Sequence, residues 1–191
     1  MAVGDVVGHD MTAAAVMGQV RSATRAVLTT ASGPADLVNR LQRMWGVLAL
    51  DRMATAVHVW LDPRSGALRI ATAGHQPPLL VVDGEASPLP VPPSPMLGIP
   101  GEAAREWTGM MPRGATLLLF TDGLVERRGR STALGLADVR AALSGIADSS
   151  PVAVCDAMMG VVDTTGPSDD VALLAVRCRP SAASGGGPRG A

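Results

Sequence analysis

Ala2-Val3-Gly4-Asp5-Val6-Val7-Gly8-His9-Asp10 opens the chain and runs straight into a long Ala-rich stretch of helical pattern. The apolar residues read as a strand that delivers one carboxylate, Asp5, and the glycines at 4 and 8 allow close backbone approach with no Cβ in the way. Such an arrangement offers a carboxylate and neighbouring carbonyls to a hard cation. Mg²⁺ and Mn²⁺ take oxygen ligands and retain waters, so a few aspartates and a backbone oxygen suffice. The same residues also read as a strand, a Gly-rich turn and a helix capped by Asp10. The other aspartates decide between the two readings.

Two further segments repeat the arrangement. Gly114 to Thr121 is the most apolar run in the chain and passes directly into Asp122-Gly123, and Pro167-Ser168-Asp169-Asp170 leads into the apolar Val171 to Val176. Aspartates clustered at the ends of separate strands repel one another and raise each other's pKa unless a cation neutralises them. Converging carboxylates with few nucleophilic side chains between them suggest metal-activated water and a bound anionic oxygen, the chemistry of phosphate ester hydrolysis. Glu126-Arg127-Arg128-Gly129-Arg130 is either a solvated loop or an arginine cluster that meets an anionic substrate.

Around these segments the periodicity is legible. Val16, Val20, Ala23 and Val27 predict an amphipathic helix from Met11 to about Thr30; Ser32-Gly33-Pro34 breaks it, and a second helix continues from Pro34 to Leu48. Met53 to Leu61 alternates as a strand, and Asp62-Pro63-Arg64-Ser65-Gly66 is a turn before a partner strand at Leu68 to Thr72. Strands are predicted at Leu79 to Val82 and Arg105 to Met110, separated by a turn at Asp83-Gly84 and a Pro-rich loop from Ser87 to Pro100. Helical patterns return at Leu136 to Leu143 and Pro151 to Val162. His75, after Gly74 in the segment between two strands, reads either as a catalytic acid or as a hydrogen-bonded structural residue.

Composition limits the function classes. A chain of 191 residues suits one domain with a sizeable core, and no apolar run approaches the roughly eighteen residues of a membrane span. Without a charged segment followed by an apolar one at the start, the cytoplasm is the expected location. Cys155 and Cys178 lie outside any metal or redox spacing and are expected as buried thiols. A net charge of −1 and an aromatic content of 2% argue against nucleic acid, which needs phosphate-neutralising charge and stacking rings.

Taken in order, Gly4 to Asp10 with Ala13-Ala14, Ala73-Gly74-His75-Gln76-Pro77-Pro78, Leu119 to Glu126, and Ser168-Asp169-Asp170-Val171-Ala172-Leu173-Leu174 resemble the sequential motifs of the PPM metal-dependent protein serine/threonine phosphatases, in their SpoIIE-like bacterial branch. The resemblance covers about residues 2 to 178. It implies an α+β fold, a four-layer α-β-β-α sandwich of antiparallel sheets, in a domain of residues 1–179; the Gly-, Ala- and Pro-rich residues 180–191 after it are expected by composition to be a disordered tail. It further implies a two-metal Mn²⁺ or Mg²⁺ centre. Carried over by position, Asp5 would bridge both metals, the Val6 carbonyl would complete one site, and Asp122 and Asp169 would hold the other, with Asp170, Asp10 and His75 in support. The implied substrate is a phosphoserine or phosphothreonine on a regulatory protein, an anti-anti-sigma protein of the STAS type, and a homodimer is a further expectation.

The chain departs from the family pattern at three points. Family domains carry two more strands before the Gly-Asp-Val motif, and only four residues precede Asp5, so the sandwich is expected to lack its first strands, to associate through the open sheet and to bind metal weakly. Asp10 replaces a frequent Gly and is expected to cap the helix or to bind a metal-bound water. Gln76 stands for the usual Asn. The alternative to a phosphatase is a catalytically weak or inactive regulatory domain that binds a signalling partner.

Overall fold

The turn Asp62 to Gly66 joins two strands, β2 (Ala54–Leu61) and β3 (Ala67–Ala73), whose antiparallel register runs from Val57 opposite Thr72 to Leu61 opposite Leu68. Their alternation separates two surfaces. Val57, Val59, Leu68 and Ile70 point into one apolar cluster, while Ala54, Ala56, Ala71 and Ala73 belong to another, where small side chains let helices pack close to the sheet. The computed structural model describes residues 1–126, 131–146, 150–162 and 170–178; the expected tail lies outside them.

On the other side of β2, β1 (Ala2–Val6) pairs antiparallel, and β6 (Trp107–Met110) pairs with β3, giving a sheet of order β1-β2-β3-β6 with β1 at its edge. Gly4 is required there, because a Cβ at this position would stand 2.6 Å from the Thr55 carbonyl oxygen. A second antiparallel sheet, of order β5-β4-β7-β8, contains β4 (Leu79–Val82), β5 (Glu85–Pro88), β7 (Thr116–Phe120) and β8 (Leu173–Arg177). Leu117 and Leu119 of β7 meet Val57, Val59, Leu68 and Ile70 between the sheets, and each such burial stabilises the sandwich by about 1.5–3 kcal/mol.

Helices cover both outer faces. α1 (Met11–Leu28) and α2 (Pro34–Trp45) bury Val16, Val27, Leu37 and Leu41 against the alanine-lined face of the first sheet. α3 (Thr132–Ser144) and α4 (Pro151–Val161) bury Val139, Leu143, Val154 and Met158 against Leu118 and Phe120 of the second. The four layers are the expected α-β-β-α sandwich. Among the described residues no helix is long and apolar enough to cross a membrane.

Three details differ from the sequence expectation. The segment from Ser87 was expected to be loop, but Glu85–Pro88 forms β5, because Asp83 and Gly84 both have positive φ (49° and 83°) and make the two-residue hairpin turn that folds the chain back on β4. Pro88 is tolerated because β5 is an edge strand. α2 stops at Trp45 rather than Leu48. Cys155 and Cys178 are free thiols as expected but half-buried rather than buried.

Candidate metal centre

Asp5 lies directly opposite Thr55 in the β1–β2 register, so the two side chains share one face of the first sheet. Val3, two residues earlier on the same face, packs in the cluster between the sheets, which places Asp5 at the inter-sheet side of β1. Val6 is buried, and its strand ends where the Val7 amide donates to the Met53 carbonyl at 3.0 Å.

On the facing sheet, β7 ends at Phe120 and Asp122 opens a single 3-10 turn, Asp122–Leu124. The amides of Val125 and Glu126 both donate to the Asp122 carbonyl, at 2.8 and 2.7 Å, and hold the turn closed. Asp122 has a buried Oδ1 with no hydrogen-bond partner among the described residues. A buried carboxylate oxygen left unpaired costs about 1–3 kcal/mol or more, which a bound cation would offset. Together with the all-oxygen donor set, this fits Mn²⁺ or Mg²⁺ rather than a softer metal.

The strand segments that carry the two carboxylates are linked through His75. This residue sits on the crossover that carries the chain from β3 in the first sheet to β4 in the second, just after Gly74, whose φ of +61° and close approach to the Met96 backbone leave no room for a side chain. Thr55 Oγ1 and His75 Nδ1 are 2.9 Å apart, and His75 Nε2 lies 3.0 Å from the Phe120 carbonyl oxygen. Burial pushes the His75 pKa below its ordinary value, against the opposing pull of the Phe120 carbonyl and the Asp122 charge. Both ring nitrogens are thus within hydrogen-bond distance of the protein, the arrangement of a hydrogen-bonded residue.

Asp170 is brought to the same end of the sandwich. Thr121 donates from its amide to the Ala172 carbonyl (3.1 Å) and from Oγ1 to the Asp170 carbonyl (3.2 Å), and its Oγ1 accepts from the Ala172 amide (2.9 Å). These bonds stitch the segment entering β8 to the end of β7, beside Asp122. Asp169 and the arginines at 127, 128 and 130 lie outside the described residues. Among the described residues no three His, Cys, Asp or Glu side chains converge on one point.

Asp10 is accounted for differently. Its Oδ1 accepts from the Ala13 amide at 2.8 Å, capping α1, and its Oδ2 pairs with Arg52 Nη2 at 2.8 Å. The Ala13 amide, followed by the Arg52 guanidinium, holds its pKa below the usual carboxylate value. The expected cap of α1 is thus formed by Asp10. Thr55 and Thr121 escaped the sequence reading. Thr55 lies in no recognisable motif, and Thr121, although inside the Leu119 to Glu126 motif, was not singled out; their importance comes from strand register and from contacts distant in sequence that no local pattern encodes.

Residues 1–179 match the family described as Stage II sporulation protein E (SpoIIE). Among solved structures, the RsbU and RsbW domains of Rv1364c from Mycobacterium tuberculosis are 33% identical to this chain over 93% of its length and 51% of that chain, with a TM-score of 0.81. The SiaA-PP2C domain of Pseudomonas aeruginosa is 23% identical, covering 92% of this chain and 73% of that one, with a TM-score of 0.76. The PP2C phosphatase domain of SpoIIE from Bacillus subtilis, with a fragment of its regulatory domain, is 14% identical over 92% of this chain and 53% of that one, with a TM-score of 0.75. The chain thus spans about half the length of the Mycobacterium and Bacillus chains. With family match, identity and topology in agreement, this chain belongs to the SpoIIE family and carries the α-β-β-α fold of the PP2C phosphatase domains.

Proposed function

We propose that this domain is a metal-dependent protein serine/threonine phosphatase. The observation that carries the reading is the buried, unpartnered Oδ1 of Asp122 at a strand end that hydrogen bonds tie to the Asp5 strand across the sandwich. Asp5, the Val6 carbonyl, Asp122 and Asp169 are the proposed holders of a Mn²⁺ or Mg²⁺ pair, with Asp170 in support. RsbX, a protein of the same fold, is known in complex with magnesium. When bound, such ions polarise a phosphoryl oxygen and activate water. The chain's own contribution is to set the ligands on two facing sheets and to tie those sheets together through His75.

The proposed substrate is a phosphoserine or phosphothreonine on a regulatory protein, an anti-anti-sigma protein of the STAS type, met in the cytoplasm. Asp122→Asn keeps the shape of the side chain and removes one ligand charge, so phosphate release from a phosphorylated STAS-type protein should fall by roughly a hundredfold or more with the fold intact. Undiminished release by this variant, or by the unaltered chain in excess chelator, would end the assignment.

A further inference from the structure

We propose that the Thr55–His75–Phe120 bridge is a positioning device that sets the separation of Asp5 and Asp122, so that a pair of divalent cations is bound as a unit; this rests on the phosphatase reading above. The two carboxylates belong to different sheets. Apolar packing between sheets is non-directional and leaves them free to slide by small amounts, whereas a metal centre requires its ligands to be held to about 0.5 Å. Hydrogen bonds supply the missing direction.

The bridge ends beside both carriers of charge. Thr55 is the cross-strand partner of Asp5, and Phe120 lies two residues before Asp122. One ring between them spans the gap, with distances of 2.9 Å to Thr55 Oγ1 and 3.0 Å to the Phe120 carbonyl oxygen. A carbonyl only accepts, so Nε2 carries the proton; Nδ1 of the neutral ring then accepts, and the Thr55 hydroxyl donates to it. A single tautomer satisfies both contacts. His75 is 9% exposed, so water competes poorly for either bond.

A bridge that merely holds the sandwich together would affect unfolding but not the affinity of the folded protein for metal. Thr55→Val removes the hydroxyl while keeping the shape, and Thr55→Ser retains it. With MnCl₂ as the probe, titration calorimetry and electron paramagnetic resonance on the full chain read affinity and the coupling of paired ions, and melting in EDTA reads stability separately. We expect a coupled Mn²⁺ pair in the unaltered chain, an affinity lower by about tenfold or more in Thr55→Val, and recovery in Thr55→Ser. On the unaltered chain, ¹⁵N shifts of the His75 ring should show the neutral Nε2-protonated form at pH 7, a measurement that needs neither metal nor variant. A coupled pair bound equally well by Thr55→Val, or the opposite His75 tautomer, overturns the positioning role alone. Failure of the unaltered chain to bind Mn²⁺ overturns the phosphatase reading and the positioning role with it.

Discussion

Replacing Gly135 by alanine sets two opposed effects against each other. Gly135 lies in the first turns of α3, where helix propensity favours alanine by about 1 kcal/mol. The tertiary contact says the reverse. A Cβ at this position would overlap the Val125 carbonyl oxygen and stand 2.7 Å from its carbon and 3.0 Å from its Cα. All three atoms are backbone, so no side-chain rotation relieves the overlap, and α3 must part from the Val125 segment by roughly an ångström. Overpacking of this kind costs about 1–3 kcal/mol or more, which exceeds the propensity gain. At about 2–4 °C per kcal/mol, Gly135→Ala should lower the melting temperature by roughly 5 °C. The segment that yields is the turn whose Val125 and Glu126 amides hold the Asp122 carbonyl, so Mn²⁺ affinity should fall as well. Calorimetric melting in EDTA and Mn²⁺ titration check the two parts. A variant as stable as the parent or more so would show that propensity governs this position and that the close approach to Val125 is not part of the folded state.

His58 should make the protein sensitive to acid. Burial, followed by the N-terminal ammonium and His75, lowers its pKa to about 4, while the unfolded chain takes up the proton near 6.5, so between those values the unfolded state binds more protons. Stability is then full above about pH 6.5 and declines by up to about 3 kcal/mol as pH falls toward 4, and His58→Gln should flatten urea-unfolding midpoints over that window; parallel curves for parent and variant would remove His58 as the cause. Asp10→Ala should cost about 1 kcal/mol through loss of the α1 cap and leave Mn²⁺ affinity unchanged, whereas a clear loss of affinity would return Asp10 to the metal centre.

Strands and helices were legible because their signals are local. The alternation from Met53 to Leu61 and the helical spacing of Val16, Val20, Ala23 and Val27 each put apolar groups on one face, and burial of that face settles the local conformation. The apolar run into Asp122 was legible for the same reason. The strand β5 was less so, because prolines at 88 and 90 resemble a loop and only its place at a sheet edge makes Pro88 acceptable.

By itself, the sequence determined most of the elements, the apolar strands that run into Asp5 and Asp122, and the family pattern that orders them, since each is written within a few consecutive residues. Only the tertiary structure decided which sheet each strand joins, that Thr55 faces Asp5, that His75 reaches both Thr55 and the Phe120 carbonyl, and that Gly135 lies against Val125. Such contacts join residues 10 to 50 positions apart, from Gly135 with Val125 to Asp5 with Thr55, and depend on register and on the spacing of two packed sheets. No local propensity carries that information, because it arises when separate apolar faces are buried against one another.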